Sequence, residues 1–258
     1  MSIPNQTSYL FNHIQQVVEK PHEYSSHAHD MYELIYIVKG NLVYTIEEKS
    51  YPLQSGDLII TKPCTHHCLT LKNGKYERYN ILFHAERLFD IDIETVIERN
   101  EVFHCGYNTS VDNIFQRMMR YKTEFASDFE NLLYLLLSEL CYCLTHIDRT
   151  VIPIVNTTMS KAIVYINENL FTIKNVTQLS NVLYVSETYL FRIFNQHLKI
   201  SPKKYITEKR LLAAKQRIAA GEKPTEIYLS CGFNDYTVFY RNYVKMFGMP
   251  PSRMYEST

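Results

Sequence analysis

Between Met31 and His84 the apolar residues come in short runs separated by turn formers: MYELIYIV, Gly40-Asn41, LVYTIE, YPL, Gly56-Asp57, LIIT and YNILFH. Regular short strands with turn residues between them predict a β sandwich or small barrel. Near Thr109 the period lengthens. Val111, Ile114, Phe115, Met118 and Met119 share one helical face, and Phe129, Leu133, Leu136, Leu140, Cys143 and Ile147 follow at spacings of four and three residues. Leu132, Leu135, Leu137 and Leu144 widen that second helix's apolar surface beyond what one neighbour covers. Two arrangements stay open: a helix packed wholly on its own barrel, or one that also forms a homodimer seam. The segment 148–158, DRTVIPIVNTT, carries Pro153 and β-branched residues and predicts an interdomain linker.

Beyond Ser160 the pattern is helical, with legible starts and stops. Asn175 is placed to cap a helix ending near Leu183, and Ser186 one ending near Leu198. Ser201-Pro202 opens a long helix closed by Gly221; after Pro224 come a short helix to Cys231, a turn at Gly232-Phe233, a cap at Asn234 or Asp235, and a helix to Phe247 with Gly248 as terminator. The two stretches superimpose at an offset of 49: Leu190 on Phe239, Arg192 on Arg241, Phe194 on Tyr243, Leu198 on Phe247 and Pro202 on Pro251. The core positions stand four apart on one helical stripe, and each Arg lies off it. This predicts two helix-turn-helix units whose second helices lie in the major groove, with outward residues meeting base edges. Those residues are Ser186, Thr188, Tyr189 and Arg192 in the first unit, and Asp235, Tyr236, Thr237, Tyr240 and Arg241 in the second. Successive major-groove segments lie about 34 Å apart on one DNA face, and the helix from Lys203 supplies the spacer.

Charge sharpens the division into two halves. Residues 1–150 hold 13 Lys and Arg against 20 Asp and Glu, whereas residues 151–258 hold 14 against 7. A basic half joined to an acidic one is the footprint of a module that meets polyanions attached to one that does not. Asn5, Gln6, Asn12, Gln15 and Gln16 interrupt any apolar leader near the start, and Glu139 interrupts the most hydrophobic stretch. A cytoplasmic protein without membrane insertion is expected. Its six cysteines are then reduced thiols, and with only 7 Gly and no nucleophile-base pair in view an enzyme is not expected.

The stretches LSNVLYVSETYLFRIFNQHLKISPKKYI and EIYLSCGFNDYTVFYRNYVKMFGMPPSRMY resemble the double helix-turn-helix of the AraC family of bacterial transcription regulators, over about 100 residues. The resemblance implies that the helices after Ser186 and after Asn234-Asp235 read double-stranded DNA. It also implies an N-terminal domain that senses a small molecule and dimerises, with RNA polymerase as a partner. The sequence departs from the family pattern at Lys199, where Gly is usual, at Tyr228, where Ala is usual, and at Met254, where Tyr is usual.

In the N-terminal half, HAHDMYELIYIVKG resembles the first cupin motif through His27, His29, Glu33 and Gly40, and GDLIITKPCTHH resembles the second through His67. Alternate strand residues such as His27 and His29 share a side, so both can enter a barrel. Three readings remain open: a Zn, Mn, Fe or Ni site on His27, His29, Glu33 and His67; a pocket in which these groups hydrogen-bond a small polar molecule, with Tyr36 and Tyr44 stacking beside it; or structural histidines. No arginine precedes Arg78, so a neutral, sugar-like effector is favoured over a carboxylate or phosphate.

The expected architecture is therefore two domains, an N-terminal all-β cupin-like barrel followed by α-helices and a C-terminal all-α tandem helix-turn-helix. Its parts are a sensing barrel (1–108), a helical dimerisation segment (109–150), a linker (151–158) and the DNA-binding domain (159–258). The expected function is a ligand-responsive, dimeric, sequence-specific transcription regulator, most often an activator in the resembled family. A metal-dependent cupin enzyme with a DNA-binding tail and a ligand-independent regulator stand as alternatives.

Overall fold

A computed structural model of the chain describes residues 9–106, 109–147 and 151–255, the side chains of Thr109, Met254 and Tyr255 excepted. The departure at Met254 and the first linker residues, Asp148 to Thr150, lie outside what is described. The N-terminal half holds strands β1 (Tyr9–Val18), β2 (His22–Glu23), β3 (Tyr32–Lys39), β4 (Leu42–Ile46), β5 (Lys49–Leu53), β6 (Asp57–Thr61), β7 (His67–Leu71), β8 (Gly74–Phe83) and β9 (Val102–His104). Helices α1 (Ile93–Arg99), α2 (Thr109–Glu124) and α3 (Phe129–Leu144) accompany them.

With β10 (Ile154–Val155), the strands form two five-stranded antiparallel sheets, in the orders β1-β8-β3-β6-β9 and β10-β5-β4-β7-β2. Strand β10 (Ile154–Val155) comes from the expected linker and pairs with Ser50 and Lys49 of β5, so that segment is tied to the sheet. Side-chain alternation assigns each face. Ile35 and Ile37 of β3 pack between the sheets with Leu42, Tyr44, Leu53, Ile59 and Tyr76. Leu34 and Tyr36 point the other way, into a core made with α1, α2 and α3. Each Leu, Ile or Phe buried there contributes about 1.5–3 kcal/mol. The first sheet's outer face and α2 take up Phe129, Leu133, Leu136, Leu137, Leu140 and Leu144 of α3, leaving Leu135 and Tyr142 50% and 63% exposed.

The C-terminal half is helical: α4 (Thr157–Glu168), α5 (Val176–Leu183), α6 (Glu187–Leu198), α7 (Pro202–Ala219), α8 (Pro224–Ile227), α9 (Tyr236–Phe247) and α10 (Pro251–Tyr255). The expected caps are made, by Asn175, Ser186, Ser201 and Asp235, each side chain accepting from a backbone N–H three residues on. Helix α8 is shorter than expected. It ends at Ile227, and the residues to Cys231 continue as turns toward Gly232, whose φ of 82° suits a residue without Cβ. Two cores result, one joining α4, α5, α6 and the start of α7, the other joining the end of α7 with α8 and α9. All six cysteines are free, and among the described residues no helix is long and apolar enough to cross a membrane.

Candidate functional site

Helices α6 and α9 begin at matched caps. Ser186 Oγ accepts from Tyr189 N at 3.1 Å and Asp235 Oδ1 from Val238 N at 2.8 Å, so both side chains set where the second helix of each unit starts. Leu190, Phe194 and Leu198 of α6 and Phe239 and Tyr243 of α9 are fully buried, while Arg192 and Arg241 are exposed. Thr188, Thr237 and Tyr240 are exposed beside them. The Arg192 guanidinium lies 5.0 Å from the Tyr189 ring centroid, a contact that orders it before any partner arrives. Tyr236 is half-buried and turned against Tyr228 and Phe239, so it belongs as much to the core as to the surface.

One residue that the sequence reading passed over fixes the two units to each other. Arg210 of α7 donates from Nε to Leu170 O (2.8 Å), from Nη2 to Ile173 O (2.6 Å) and from Nη1 to Gly232 O (2.7 Å). The first two carbonyls belong to the α4–α5 connection and the third to the turn before α9, so a single planar fork spans both units. A Cβ on Gly232 would come within 2.7 Å of that guanidinium, which explains the glycine. Arg210 follows Glu208 and Lys209 in the sequence and reads there as one more surface charge.

In the N-terminal half the structure brings together His27, His29, Glu33 and His67, their donor atoms all within 4.8 Å of one another. His29, Glu33 and His67 are buried, and His27 stands at the exposed rim. His29 Nδ1 lies 3.0 Å from Met31 O and His67 Nδ1 lies 2.9 Å from Thr65 O. Carbonyl oxygens only accept, so both Nδ1 atoms carry a proton and both Nε2 atoms face the cluster. Both Nε2 atoms are buried without a hydrogen-bond partner. His67 Nε2 comes within 2.7 Å of Glu33 Oε2, and His29 Nε2 lies 3.8 Å from the same oxygen. Glu33 also accepts from Tyr44 Oη (3.0 Å) and from Asn80 Nδ2. Burial works against its charge, yet His67 and His29 hold its carboxyl well below the usual carboxylate range. Desolvation, with the His67 ring beside it, lowers His27 to about 4. Burial raises the Tyr44 phenol well above its ordinary value, with the Glu33 charge adding to it.

Two expectations change here. Tyr36 does not reach the cluster: it stands three residues after Glu33, on the opposite face of β3, where its hydroxyl donates to Asp112 Oδ1 (2.6 Å) and its ring stacks on Phe115. Arg78, which the sequence reading left outside the barrel, pairs in register with Ile37 and so shares the inner face of β8 with Tyr76 and Asn80. Its Nε is buried. The absence of earlier arginines therefore does not favour a neutral effector.

The halves meet along a polar seam. Lys199, Lys209 and Lys215 pair with Glu23 (3.0 Å), Glu47 (3.2 Å) and Asp30 (2.8 Å). Tyr205 Oη donates to Glu47 Oε1 at 2.7 Å, and Ser26 N donates to Leu198 O at 3.1 Å. His66, next to His67, is fully buried against the Tyr205 ring, with Nε2 3.6 Å from Glu208. Burial, then the Lys209 charge, hold it well below the usual imidazole range. Three cations of the basic half thus face the acidic half, so the charge division serves this seam as well as a polyanion. Helix α7 is a docking face in addition to a spacer.

Residues 19–137 match the family model of the AraC-like ligand binding domain, and residues 179–257 match that of a helix-turn-helix domain. The chain is similar to the lactose operon transcription activator of Staphylococcus xylosus, 23% identical over 236 residues that cover 84% of this chain and 80% of that one. It is similar to the probable transcriptional regulator LumQ of Photobacterium leiognathi, 32% identical over 70 residues covering 27% and 28% of the two chains. Among solved structures, ToxT from Vibrio cholerae O395 aligns over 96% of this chain and 97% of its own at 14% identity and a TM-score of 0.42. A probable AraC family transcriptional regulator from Rhodopseudomonas palustris aligns over 40% of this chain and 97% of its own, at 26% identity and a TM-score of 0.37. With a matching ligand-binding domain ahead of a matching helix-turn-helix domain, this chain belongs to the AraC family of transcription regulators.

Proposed function

We propose that this chain is a sequence-specific, homodimeric transcription activator that reads two successive major-groove segments with α6 and α9 and is controlled by a small effector in its N-terminal domain. The observation that carries the reading is the matched pair of exposed guanidiniums, Arg192 and Arg241, each off the buried stripe of a capped helix. Bidentate pairing of each with guanine N7 and O6 gives about 1–3 kcal/mol of base discrimination. Thr188, Tyr189, Thr237 and Tyr240 flank the two, and Ser186 and Asp235 set the start of each helix. The activator role is supported by the name of the Staphylococcus xylosus relative. Dimerisation is supported by Leu135 and Tyr142, large apolar residues seven apart on the exposed side of α3.

The test is selection of bound DNA from a random pool by the full chain. Two short conserved motifs about 34 Å apart along the duplex are expected. Arg192→Ala relaxes one motif and Arg241→Ala the other. Unchanged sequence preference in both variants contradicts the assignment. Sedimentation of Leu135→Glu with Tyr142→Glu tests the dimer: the wild-type mass should halve, and an unaltered mass removes α3 from the interface.

A further inference from the structure

The outward stripe of α6 carries a large apolar residue that lies outside the core. Thr188, Phe191, Arg192 and Asn195 stand at i, i+3, i+4 and i+7, and all four are exposed. Leu190, Ile193, Phe194 and Leu198 take the opposite face into the first unit's core. Phe191 is left 42% exposed, directly before Arg192. At the offset of 49 the second unit repeats the arrangement: Tyr240 takes the place of Phe191, directly before Arg241, and is 38% exposed. Thr237, Tyr240 and Arg241 form the same outward stripe, with Val244 half-buried where the first unit has Asn195. A single exposed aromatic residue is ordinary. The same kind of residue beside the same arginine in both copies asks for a shared cause.

A phenyl ring brings neither a donor nor an acceptor. The base-edge groups of the major groove are donors and acceptors that call for polar partners, with one exception, the C5 methyl of thymine. Phosphates, the other surface that a helix meets on DNA, take donors and cations. A helix face that brings Arg192 to a guanine brings the next side chain into the same groove. Successive bases on a strand lie about 3.4 Å apart along the axis, so a methyl within reach of Phe191 belongs to the same short motif as that guanine. The Arg192 guanidinium leans on the Tyr189 ring at 5.0 Å, on the far side of the stripe from Phe191. The two neighbours therefore present separate contacts.

We propose that Phe191 reads a thymine in the first major-groove segment through its C5 methyl, beside the guanine paired with Arg192, and that Tyr240 does the same beside Arg241 in the second. Each unit then recognises a guanine by hydrogen bonds and a nearby thymine by apolar contact. The inference deepens the reading of α6 and α9 as base readers and rests on it.

The test removes a methyl group and leaves every hydrogen-bonding group of the base pair in place. The duplex selected by the full chain is remade with deoxyuridine at one thymine at a time, and the full chain's affinity for each is measured. One replacement in each motif, close to the conserved guanine, should weaken binding about fourfold, the worth of one buried methyl group. Phe191→Ala should bind the thymine and deoxyuridine forms of the first motif equally and keep the difference in the second; Tyr240→Ala should do the reverse. Circular dichroism verifies the fold of both variants, and the wild-type scan needs neither. Wild-type binding indifferent to every replacement overturns the proposal, as does a selected duplex with no thymine in either motif. A methyl effect that persists undiminished in Phe191→Ala or in Tyr240→Ala overturns the role of that residue. Failure of the regulator reading is distinguishable, because it would show as no selected sequence at all, whereas failure of this inference alone leaves a selected sequence that does not respond to the methyl.

Discussion

The first helix-turn-helix unit has an eight-residue α5 under an Asn175 cap, followed by α6 closed by Lys199 at φ 57°. The second has a four-residue α8 with no side-chain cap, followed by α9 closed by Gly248 at φ 72°. The first core draws on α4, α5, α6 and half of α7; the second relies on the end of α7, Cys231, Phe233 and the aromatic pair Phe239 and Tyr243. Helix α6 touches the β domain directly, through Leu198 O, His197 O and Lys199. Two copies of one pattern have thus been given different supports. Arg210 of α7 ties the turn before α9 to the α4–α5 connection.

The largest expected effect comes from cutting that last connection. Arg210→Ala leaves the carbonyls of Leu170, Ile173 and Gly232 without their donor, and charge-assisted bonds of this kind contribute about 1.5–3 kcal/mol each before solvent compensates. A net loss of about 3 kcal/mol is expected, or about 12–24 °C in Tm for a domain of about 100 residues. Arg210→Lys should recover little, because one ammonium cannot span three carbonyls set in a fork. Calorimetry of the full chain decides this, with exchange rates at 235–247 showing whether the second unit loosens first. Equal loosening of both units would mean that α7, and not the guanidinium, joins them.

Next in size are the two exposed arginines proposed to read bases. Arg192→Ala and Arg241→Ala should each cost about 1–3 kcal/mol on the preferred duplex and less on one altered at the matching bases. Binding isotherms on duplexes altered in one motif at a time separate the contributions. If Arg192→Ala removes all discrimination and Arg241→Ala none, the second unit is a packing partner and the comparison becomes reader against support.

Much of this contrast was legible before any coordinates. Caps and terminators are local chemistry, so Asn175, Ser186, Ser201, Asp235 and Gly248 could be assigned from residue type and spacing. The histidine cluster was legible from the spacing of the motif, although His27 and His29 lie between β2 and β3, with His27 in an isolated bridge to His67, and strand parity is not what brings them together. Strand parity, applied to Glu33 and Tyr36, would have kept Tyr36 out. Strand β1 was passed over because Asn12, Gln15 and Gln16 dilute its apolar pattern, though it forms ten consecutive pairs with β8. Arg78 could not be placed without the β3–β8 register, which is set by contacts about forty residues apart or more. The seam was illegible for the same reason: Lys199 and Glu23 look like ordinary surface charges until the fold brings them to 3.0 Å.

The smallest effects test the closing residues, where the two units differ by one side chain each. Lys199 holds a left-handed conformation that costs an L-residue about 1–2 kcal/mol. Its exposed pairing with Glu23 returns at most about 1 kcal/mol, so strain is being tolerated for position. Lys199→Gly should therefore stabilise the chain slightly, by ~0.5 kcal/mol once the added freedom of the unfolded glycine is counted, while loosening the seam. Gly248→Ala imposes the same strain on the second unit, where an added Cβ meets nothing within 4 Å and no contact is gained. It should cost about 0.5–1 kcal/mol and leave the seam unchanged. Denaturant unfolding gives the sign of each, and hydrogen exchange at 198–209 gives the effect on docking. Opposite signs in stability, with docking altered only by Lys199→Gly, would show that the first unit's closing residue trades local stability for its attachment to the β domain. A destabilised Lys199→Gly would instead place the larger share of the energy in the ion pair itself.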